Sequence, residues 1–303
     1  MKRSITLTGL VFLLGCSFSG NLKAQEDSPV FRTNVNVVNV LCTVRKGDQY
    51  LTNLTKEDFE VFEDGQKQEI EYFGLEFGED AQPLNVILLV DTSGSVKDKL
   101  FFEQEAGYIF LKETLRRKKD LAAVVQFDSE INLVQDFTYD LELLEHSIED
   151  IRAGGATKLY DAIYLSVDEL LRHEFGRKLL VVLSDGDDTQ SLVKDDEAIQ
   201  IAQEHDVMIF GIGVKGGRFR SNFGKLKEFA EETGGLFFNS KASMQELQEA
   251  FSKINRAIKN QYSIGYTSSN PVKEGEFREI RIEVKGRGLK VAHRKGYYSS
   301  ETG

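Results

Sequence analysis

The chain lacks the features that mark several large classes of protein. It has no tryptophan, only 3 prolines in 303 residues and no low-complexity tract, which excludes collagen-like and disordered chains. No apolar run reaches the roughly 20 residues that a membrane-spanning helix needs. Basic residues are also in the minority, since 38 Lys and Arg stand against 49 Asp and Glu for a net charge of -11. Because such a chain repels a phosphate backbone, we expect no nucleic-acid partner.

Residues 1–24 have the pattern of an export signal. Two basic residues precede a short apolar stretch, Leu7 to Leu14. The segment Leu13-Leu14-Gly15-Cys16 resembles the lipobox of bacterial lipoproteins, in which the cysteine becomes the acylated first residue. Cleavage near Ala24 is the alternative. We therefore expect an exported protein that is periplasmic, anchored in the outer membrane through a lipid on Cys16, or secreted, with no other membrane contact.

The rest of the chain divides into three segments of different periodicity. Short alternating strands with turn residues between them predict a β segment at 30–77, and the alternation returns at 261–299. Between them, at 84–258, continuous apolar runs and alternating helices predict an α/β domain with a doubly wound, mostly parallel sheet.

Neither β segment is large enough to be stable alone. We therefore expect the two segments to pack together as one small all-β sandwich into which the α/β domain is inserted. Within this sandwich, the turn Lys285-Gly286-Arg287-Gly288 is typical of a hairpin, and Cys42 is expected to be a buried apolar residue without a disulfide partner.

Oxygen-bearing side chains follow the ends of predicted strands in the α/β domain. Asp91, Ser93 and Ser95 come directly after the first buried strand. Thr157 lies in a glycine-rich loop before a helix, and Asp185 follows another buried strand. Because ligands of such sheets bind at the carboxyl ends of the strands, we expect these residues to meet there. Hydroxyl and carboxylate oxygens suit Mg²⁺, or Mn²⁺.

These residues also have simpler interpretations. One of the first three could cap a helix that begins near Val96, and Thr157 could cap the helix that follows it. Asp161, one turn further on, could orient Thr157 or a metal-bound water, or could belong to a solvated helix face. Asp187 and Asp188 are typical of a solvated loop.

The order and strand context of the motifs resemble the metal-ion-dependent adhesion site of von Willebrand factor type A domains. The resemblance covers about residues 84–258, and the segments 54–65 and 262–267 are similar to flanking segments of exported bacterial proteins related to this family. It implies that Ser93 and Ser95 would ligate a metal ion directly through their hydroxyls. Thr157 would do so directly or through water, and Asp91 and Asp185 largely through water. It further implies a protein partner that presents an Asp or Glu carboxylate to the metal.

These observations together predict a divalent-cation-dependent protein-binding module of the cell envelope and not an enzyme. The alternatives are a scaffold component whose metal site is purely structural and a metal-dependent hydrolase. A hydrolase would want carboxylates directly on the metal and a nucleophile or general base beside it, so hydroxyl ligands argue against it. Because the chain carries a net charge of -11, the partner is expected to be neutral or basic around one protruding acid.

Overall fold

The computed structural model describes residues 37–76, 78, 81–215, 222–241, 243–271 and 273–299. The predicted export signal at 1–24, with Cys16, lies outside these residues, as do the first residues of the predicted β segment at 30–77. The described residues belong to one compact unit, Val35–Gly303. No helix in the described ranges is both long and apolar enough to cross a bilayer.

The strands and helices follow the predicted order of a β segment, an α/β segment and a second β segment. The strands are β1 (Val37–Lys46), β2 (Gln49–Tyr50), β3 (Phe59–Glu63), β4 (Gln66–Gln68), β5 (Tyr72–Glu76), β6 (Leu84–Asp91), β7 (Leu121–Phe127), β8 (Ile131–Thr138), β9 (Arg177–Ser184), β10 (Val207–Val214), β11 (Phe237–Ser240), β12 (Gln261–Thr267), β13 (Phe277–Val284), β14 (Lys290–His293) and β15 (Gly296–Tyr298). The α-helices are α1 (Leu100–Thr114), α2 (Leu141–Glu149), α3 (Leu159–Leu165), α4 (Asp195–Glu204), α5 (Gly224–Thr233) and α6 (Met244–Lys259).

A six-stranded sheet with the order β11-β10-β9-β6-β7-β8 forms the centre of the α/β segment. Its pairs are parallel except for the edge strand β8, which runs antiparallel to β7. Every residue of β6 is buried, because α1, α2 and α6 pack on one face of the sheet and α3, α4 and α5 on the other. The continuous apolar run of β6 therefore reflects burial on both faces, and the doubly wound sheet is confirmed.

Two further sheets, built from both ends of the chain, form the sandwich. Their orders are β14-β1-β12-β5, with β2 beside β1, and β15-β13-β3-β4. The strand β1 pairs antiparallel with β12, and β3 pairs in the same way with β13. Alternate residues of these strands share one apolar core, in which Cys42 is fully buried. The insertion of the α/β segment into a sandwich is thus confirmed.

The prediction of a hairpin at residues 285–288 is wrong. The strand before this turn, β13, lies in the sheet with β3, whereas the strand after it, β14, pairs with β1 in the other sheet. The turn therefore carries the chain from one sheet of the sandwich to the other. Gly286 and Gly288 have φ values of 137° and 72°, which favour glycine and permit this change of direction. Alternation alone did not reveal it, because both sheets bury every second residue against the same core.

A buried carboxylate joins the two β segments. Glu63, at the end of β3, is fully buried and accepts hydrogen bonds from the hydroxyls of Tyr266 and Tyr297 at 2.9 and 3.0 Å. Asn270 Nδ2 donates to it at 2.7 Å, and the Ser268 hydroxyl donates as well. These donors all come from the C-terminal segment. Because hydrogen bonds to a charged group offset the cost of its burial, Glu63 stabilises the sandwich only when both chain ends are in place.

Candidate metal site

The first part of the site lies where β6 ends. Asp91 is fully buried at the carboxyl end of the central strand. Its Oδ1 accepts a hydrogen bond from the backbone N–H of Ser93 at 2.9 Å, and its Oδ2 accepts one from the Ser184 hydroxyl at 2.7 Å. Ser184 is the last residue of the neighbouring strand β9. These bonds hold the carboxylate between the two central strands of the sheet.

Two hydroxyls and a second carboxylate extend this arrangement. Ser93 Oγ and Ser95 Oγ are 3.0 Å apart, and the Ser95 hydroxyl donates to Asp185 Oδ2 at 2.5 Å. Asp185 is buried and directly follows β9. The loops after β6 and β9 are therefore joined through the oxygen atoms that the sequence singled out.

The glycine-rich loop before α3 reaches the same edge of the sheet. The N–H of Gly154 donates to the carbonyl of Thr92 at 2.7 Å, and the N–H of Gly94 donates to the carbonyl of Gly155 at 3.1 Å. Gly155 has a φ of 98°, and an added Cβ would lie 2.7 Å from Ser129 Oγ, so the approach requires glycine. This loop delivers Thr157, whose side chain is buried, to the strand ends.

The structure thus brings Asp91, Ser93, Ser95, Thr157 and Asp185 to one edge of the sheet. The simpler capping interpretations do not hold. The first helix begins at Leu100 and not near Val96, and its N-cap residue makes no side-chain capping bond. The helix α3 is preceded by Lys158 at the N-cap, so Thr157 does not cap it either. Ligation of a metal ion by the five residues stays a prediction.

Asp188 has a role that the sequence did not reveal. Its Oδ1 accepts hydrogen bonds from the backbone N–H of Leu159 at 2.7 Å and from the Ser191 hydroxyl at 2.6 Å. A carboxylate from a different loop therefore caps the N-terminus of α3. In addition, Thr189 and Gln190 donate their backbone N–H groups to the carbonyl of Thr157 at 2.9 and 3.0 Å. The loop after β9 thereby holds the backbone around Thr157.

Asp161, in the first turn of α3, binds a later part of the loop that follows β9. Its Oδ1 accepts hydrogen bonds from the backbone N–H groups of Leu192 and Val193, both at 2.8 Å. The carboxylate is buried, so it does not belong to a solvated helix face. Orientation of Thr157 or of a metal-bound water by Asp161 stays a prediction. The contacts show instead that it ties α3 to the loop carrying Asp185.

A third acidic side chain, that of Glu103, interacts electrostatically with Asp91 and Asp185. Glu103 of α1 is buried, and neither of its oxygens has a hydrogen-bond partner among the described residues. The ammonium group of Lys99 is likewise buried and without a hydrogen bond. Glu103 falls on the buried stripe of α1 together with Leu100, Gly107 and other core residues. An acidic residue on an otherwise apolar helix stripe was the signal that could have identified it.

The electrostatics of this region favour a cation. Burial raises the pKa of Asp91 to about 6, and the neighbouring Asp185 acts in the same direction. Burial, followed by the charge of Asp91, raises the pKa of Glu103 to about 8, although Lys99 opposes the shift. Two carboxylates and three hydroxyls form a donor set of hard oxygens that fits a divalent cation, and such an ion would relieve the repulsion among the buried acids.

The family model of the von Willebrand factor type A domain matches residues 85–253, more than half of the chain. The chain therefore belongs to the von Willebrand factor type A domain family. Domains of this family are commonly metal-dependent protein-interaction modules, and they typically bind a divalent metal ion at the metal-ion-dependent adhesion site. A solved von Willebrand factor type A protein from Catenulispora acidiphila has a TM-score of 0.50 at 13% identity, covering 89% of this chain and 76% of that one.

Two curated relatives each share 26% identity with the chain. One is an uncharacterized protein of Borreliella burgdorferi, with an alignment of length 209 that covers 58% of this chain and 60% of that protein. The other is the inter-alpha-trypsin inhibitor heavy chain H4 of Sus scrofa, with an alignment of length 231 that covers 70% of this chain and 24% of that protein. The matched region thus spans less than two thirds of the length of either relative.

We predict that Asp188→Ala lowers the free energy of unfolding by about 1–2 kcal/mol, because α3 loses its capping carboxylate. The affinity for a divalent ion is expected to fall as well, since Thr157 is held by the same loop. Chemical denaturation and metal titration measure the two effects. Asp150→Ala, which removes an exposed carboxylate at the C-terminus of α2, is the matched control and should change neither quantity. Equal behaviour of the two variants would contradict the capping role.

Proposed function

We propose that this chain is a divalent-cation-dependent protein-binding module. Asp91, Ser93, Ser95, Thr157 and Asp185 would hold Mg²⁺, or Mn²⁺, at the carboxyl edge of the central sheet. The bound ion would supply an electrophilic position for a carboxylate oxygen of an Asp or Glu on a protein partner. The observation that carries the proposal is that the loops after β6 and β9 are joined through predicted oxygen ligands, Ser95 and Asp185. Backbone hydrogen bonds bring the glycine-rich loop that carries Thr157 to the same edge of the sheet.

The chemical types of the candidate metal ligands favour a binding site over a catalytic site. The described residues contain no group of three or more His, Cys, Asp or Glu side chains that could hold a metal ion. A hydrolytic metal centre would want several direct carboxylate or histidine ligands and a general base. Here three of the five oxygens are neutral hydroxyls, which leave more of the positive charge of the ion available to an external carboxylate. We therefore propose a non-enzymatic role.

The charge of the chain restricts which surface charges a partner can have. With a net charge of -11, the protein repels strongly acidic surfaces at long range. A single protruding carboxylate on a neutral or basic surface avoids this repulsion and still reaches the metal. We propose a partner of this kind at the cell envelope.

Our proposal that the protein is exported to the envelope rests on its N-terminal sequence pattern. The lipobox-like segment that ends at Cys16 supports a lipid anchor, with cleavage near Ala24 as the alternative. Mass spectrometry of the N-terminus of protein purified from membranes of the native host should find acylated Cys16 as the first residue. Cys16→Ala should abolish the added mass. An unmodified N-terminus beginning after Ala24 would contradict the anchor but not the export.

We predict that metal binding stabilises the fold. At 100 times its dissociation constant, an ion that binds only the native state adds about 2.7 kcal/mol, which is roughly 5–10 °C in melting temperature for a chain of this size. Thermal unfolding of the protein in EDTA, in Mg²⁺ and in Mn²⁺ measures this effect. Asp91→Ala and Ser95→Ala should lose the response, whereas Asp150→Ala should keep it. A response that survives in both site variants would place the ion elsewhere.

Partner binding provides the second test. We predict that peptides selected from a random display library on the Mg²⁺-loaded protein, and then eluted with EDTA, are enriched in sequences with one Asp or Glu among neutral or basic residues. Replacing that acid by its amide, or using the Ser95→Ala protein, should abolish binding. Stabilisation by metal without any metal-dependent peptide would favour the scaffold alternative, and peptide binding that ignores EDTA would contradict the proposed mechanism.

A further inference from the structure

The first helix, α1, carries two side chains of opposite charge whose polar atoms are buried. Glu103 is 1% exposed, and neither of its carboxylate oxygens has a hydrogen-bond partner among the described residues. The ammonium nitrogen of Lys99, the N-cap residue of the same helix, is also buried and has no such partner there. Because burying a charged group without hydrogen bonds is costly, packing alone does not account for these two side chains.

Both residues lie on the face of α1 that packs against the central strand β6. Lys99, Glu103 and Gly107 are spaced four residues apart, so they follow one another along one face of the helix. At Gly107, an added Cβ would lie 2.8 Å from Leu88 Cδ2, which shows that the helix approaches β6 closely there. Glu103 is one turn nearer to the start of the helix, and Asp91 is nearer to the end of the strand. Since a crossover helix runs opposite to the strand before it, both steps lead to the same edge of the sheet.

The charges of the candidate metal site act on both side chains. Burial has the largest effect on the pKa of Glu103, which is raised to about 8, and the charge of Asp91 has the next largest. Lys99 opposes this shift, and Asp185 adds to it. Burial lowers the pKa of Lys99, while Glu103 and Asp185 oppose that change. Each side chain is therefore within electrostatic range of at least one carboxylate of the site.

Neither residue is a direct ligand by its position. In the described ranges, no three His, Cys, Asp or Glu side chains are grouped closely enough to hold a metal ion, so Glu103 does not join Asp91 and Asp185 as a third ligand. Lys99 and Glu103 also form no hydrogen-bonded ion pair that would neutralise either of them within the described part of the chain. Each charge would therefore act on an ion in the site through space and not through a bond.

We propose that Glu103 and Lys99 set the affinity of the metal site through opposed charges, so that Glu103 strengthens the binding of a divalent cation and Lys99 weakens it. This role depends on the metal site of the proposed function and identifies two positions, outside the ligand set, that regulate it. Because Coulomb energy is proportional to charge, a divalent ion feels each side chain twice as strongly as a monovalent ion would at the same distance. Burial of both groups keeps water from screening them.

The test uses the protein without its export signal, at constant ionic strength and at pH 8.5. At this pH most of Glu103 is charged before metal is added, because its pKa is about 8. Isothermal titration with Mg²⁺ measures the dissociation constant, and thermal unfolding in EDTA measures the stability of the metal-free protein.

Glu103→Gln should weaken Mg²⁺ binding by roughly tenfold, since it replaces the charge by a neutral group of the same shape. Its melting temperature in EDTA should not fall, because the variant removes the repulsion between this acid and Asp91. Loss of affinity without loss of stability separates an electrostatic role from a packing role. A group that only fills space would lower the melting temperature and leave the dissociation constant unchanged.

Lys99→Met should have the opposite effect and tighten Mg²⁺ binding by roughly threefold or more, since it removes a cation that repels the ion. The double variant, Glu103→Gln with Lys99→Met, should bind Mg²⁺ more tightly than Glu103→Gln does alone. Because the two single changes act in opposite directions, a general disturbance of α1 does not produce this pattern.

Matched controls remove the same charges from exposed positions on α1. Glu105→Gln and Lys112→Met change the net charge of the chain by the same amounts, and both should bind Mg²⁺ as the unchanged protein does. If Glu103→Gln fails to fold, comparison of Lys99→Met with Lys112→Met decides the question. Equal affinities in the buried-charge variants and their controls would overturn this inference and leave the proposed function standing. Absence of Mg²⁺ binding by the unchanged protein would overturn both.

Discussion

The buried carboxylate of Asp91 is the constraint on which the site depends. A strand covered by helices on both faces must end somewhere, and this one ends in a charged group that no solvent reaches. The hydrogen bonds from Ser93 N–H and the Ser184 hydroxyl offset part of the cost of burial, but the raised pKa of Asp91 shows that they do not remove it. The neighbouring Asp185 raises the pKa of Asp91 further. A divalent ion at this position, as proposed above, would offset more of the cost of burial.

A second constraint comes from the split sandwich. The strands β1 and β12 are neighbours in one sheet although the whole α/β segment lies between them in the chain. The same separation holds for Glu63 and the hydroxyls of Tyr266 and Tyr297. Closing so long a connection costs conformational entropy, and a compact α/β segment shortens the effective distance between the two β segments.

Much of the fold was predictable because the spacing of apolar residues is set within each strand or helix. The continuous apolar run of β6 and the strict alternation in β13 each report how many faces of a strand are buried. The placement of Asp91, Ser93, Ser95 and Asp185 at one edge was predictable for a related reason, since the carboxyl ends of parallel strands share one edge. The prediction for the turn at 285–288 failed because two sheets with a common core impose the same alternation. The capping role of Asp188 was missed because the N–H donor that it caps, that of Leu159, belongs to a helix 29 residues earlier in the chain.

The sequence by itself determined the order of strands and helices, the faces that they bury, the insertion of one segment into another and the oxygen donors at the strand ends. These follow from spacing along the chain, which depends on the geometry of single strands and helices. Only the tertiary structure decided which sheet receives β14, that Asp188 and Asp161 hold α3 to the loop after β9, and that Glu103 is a buried acid whose oxygens have no hydrogen-bond partner among the described residues. Hydrogen-bond partners and desolvation arise between groups far apart in the chain. Local periodicity carries no information about either.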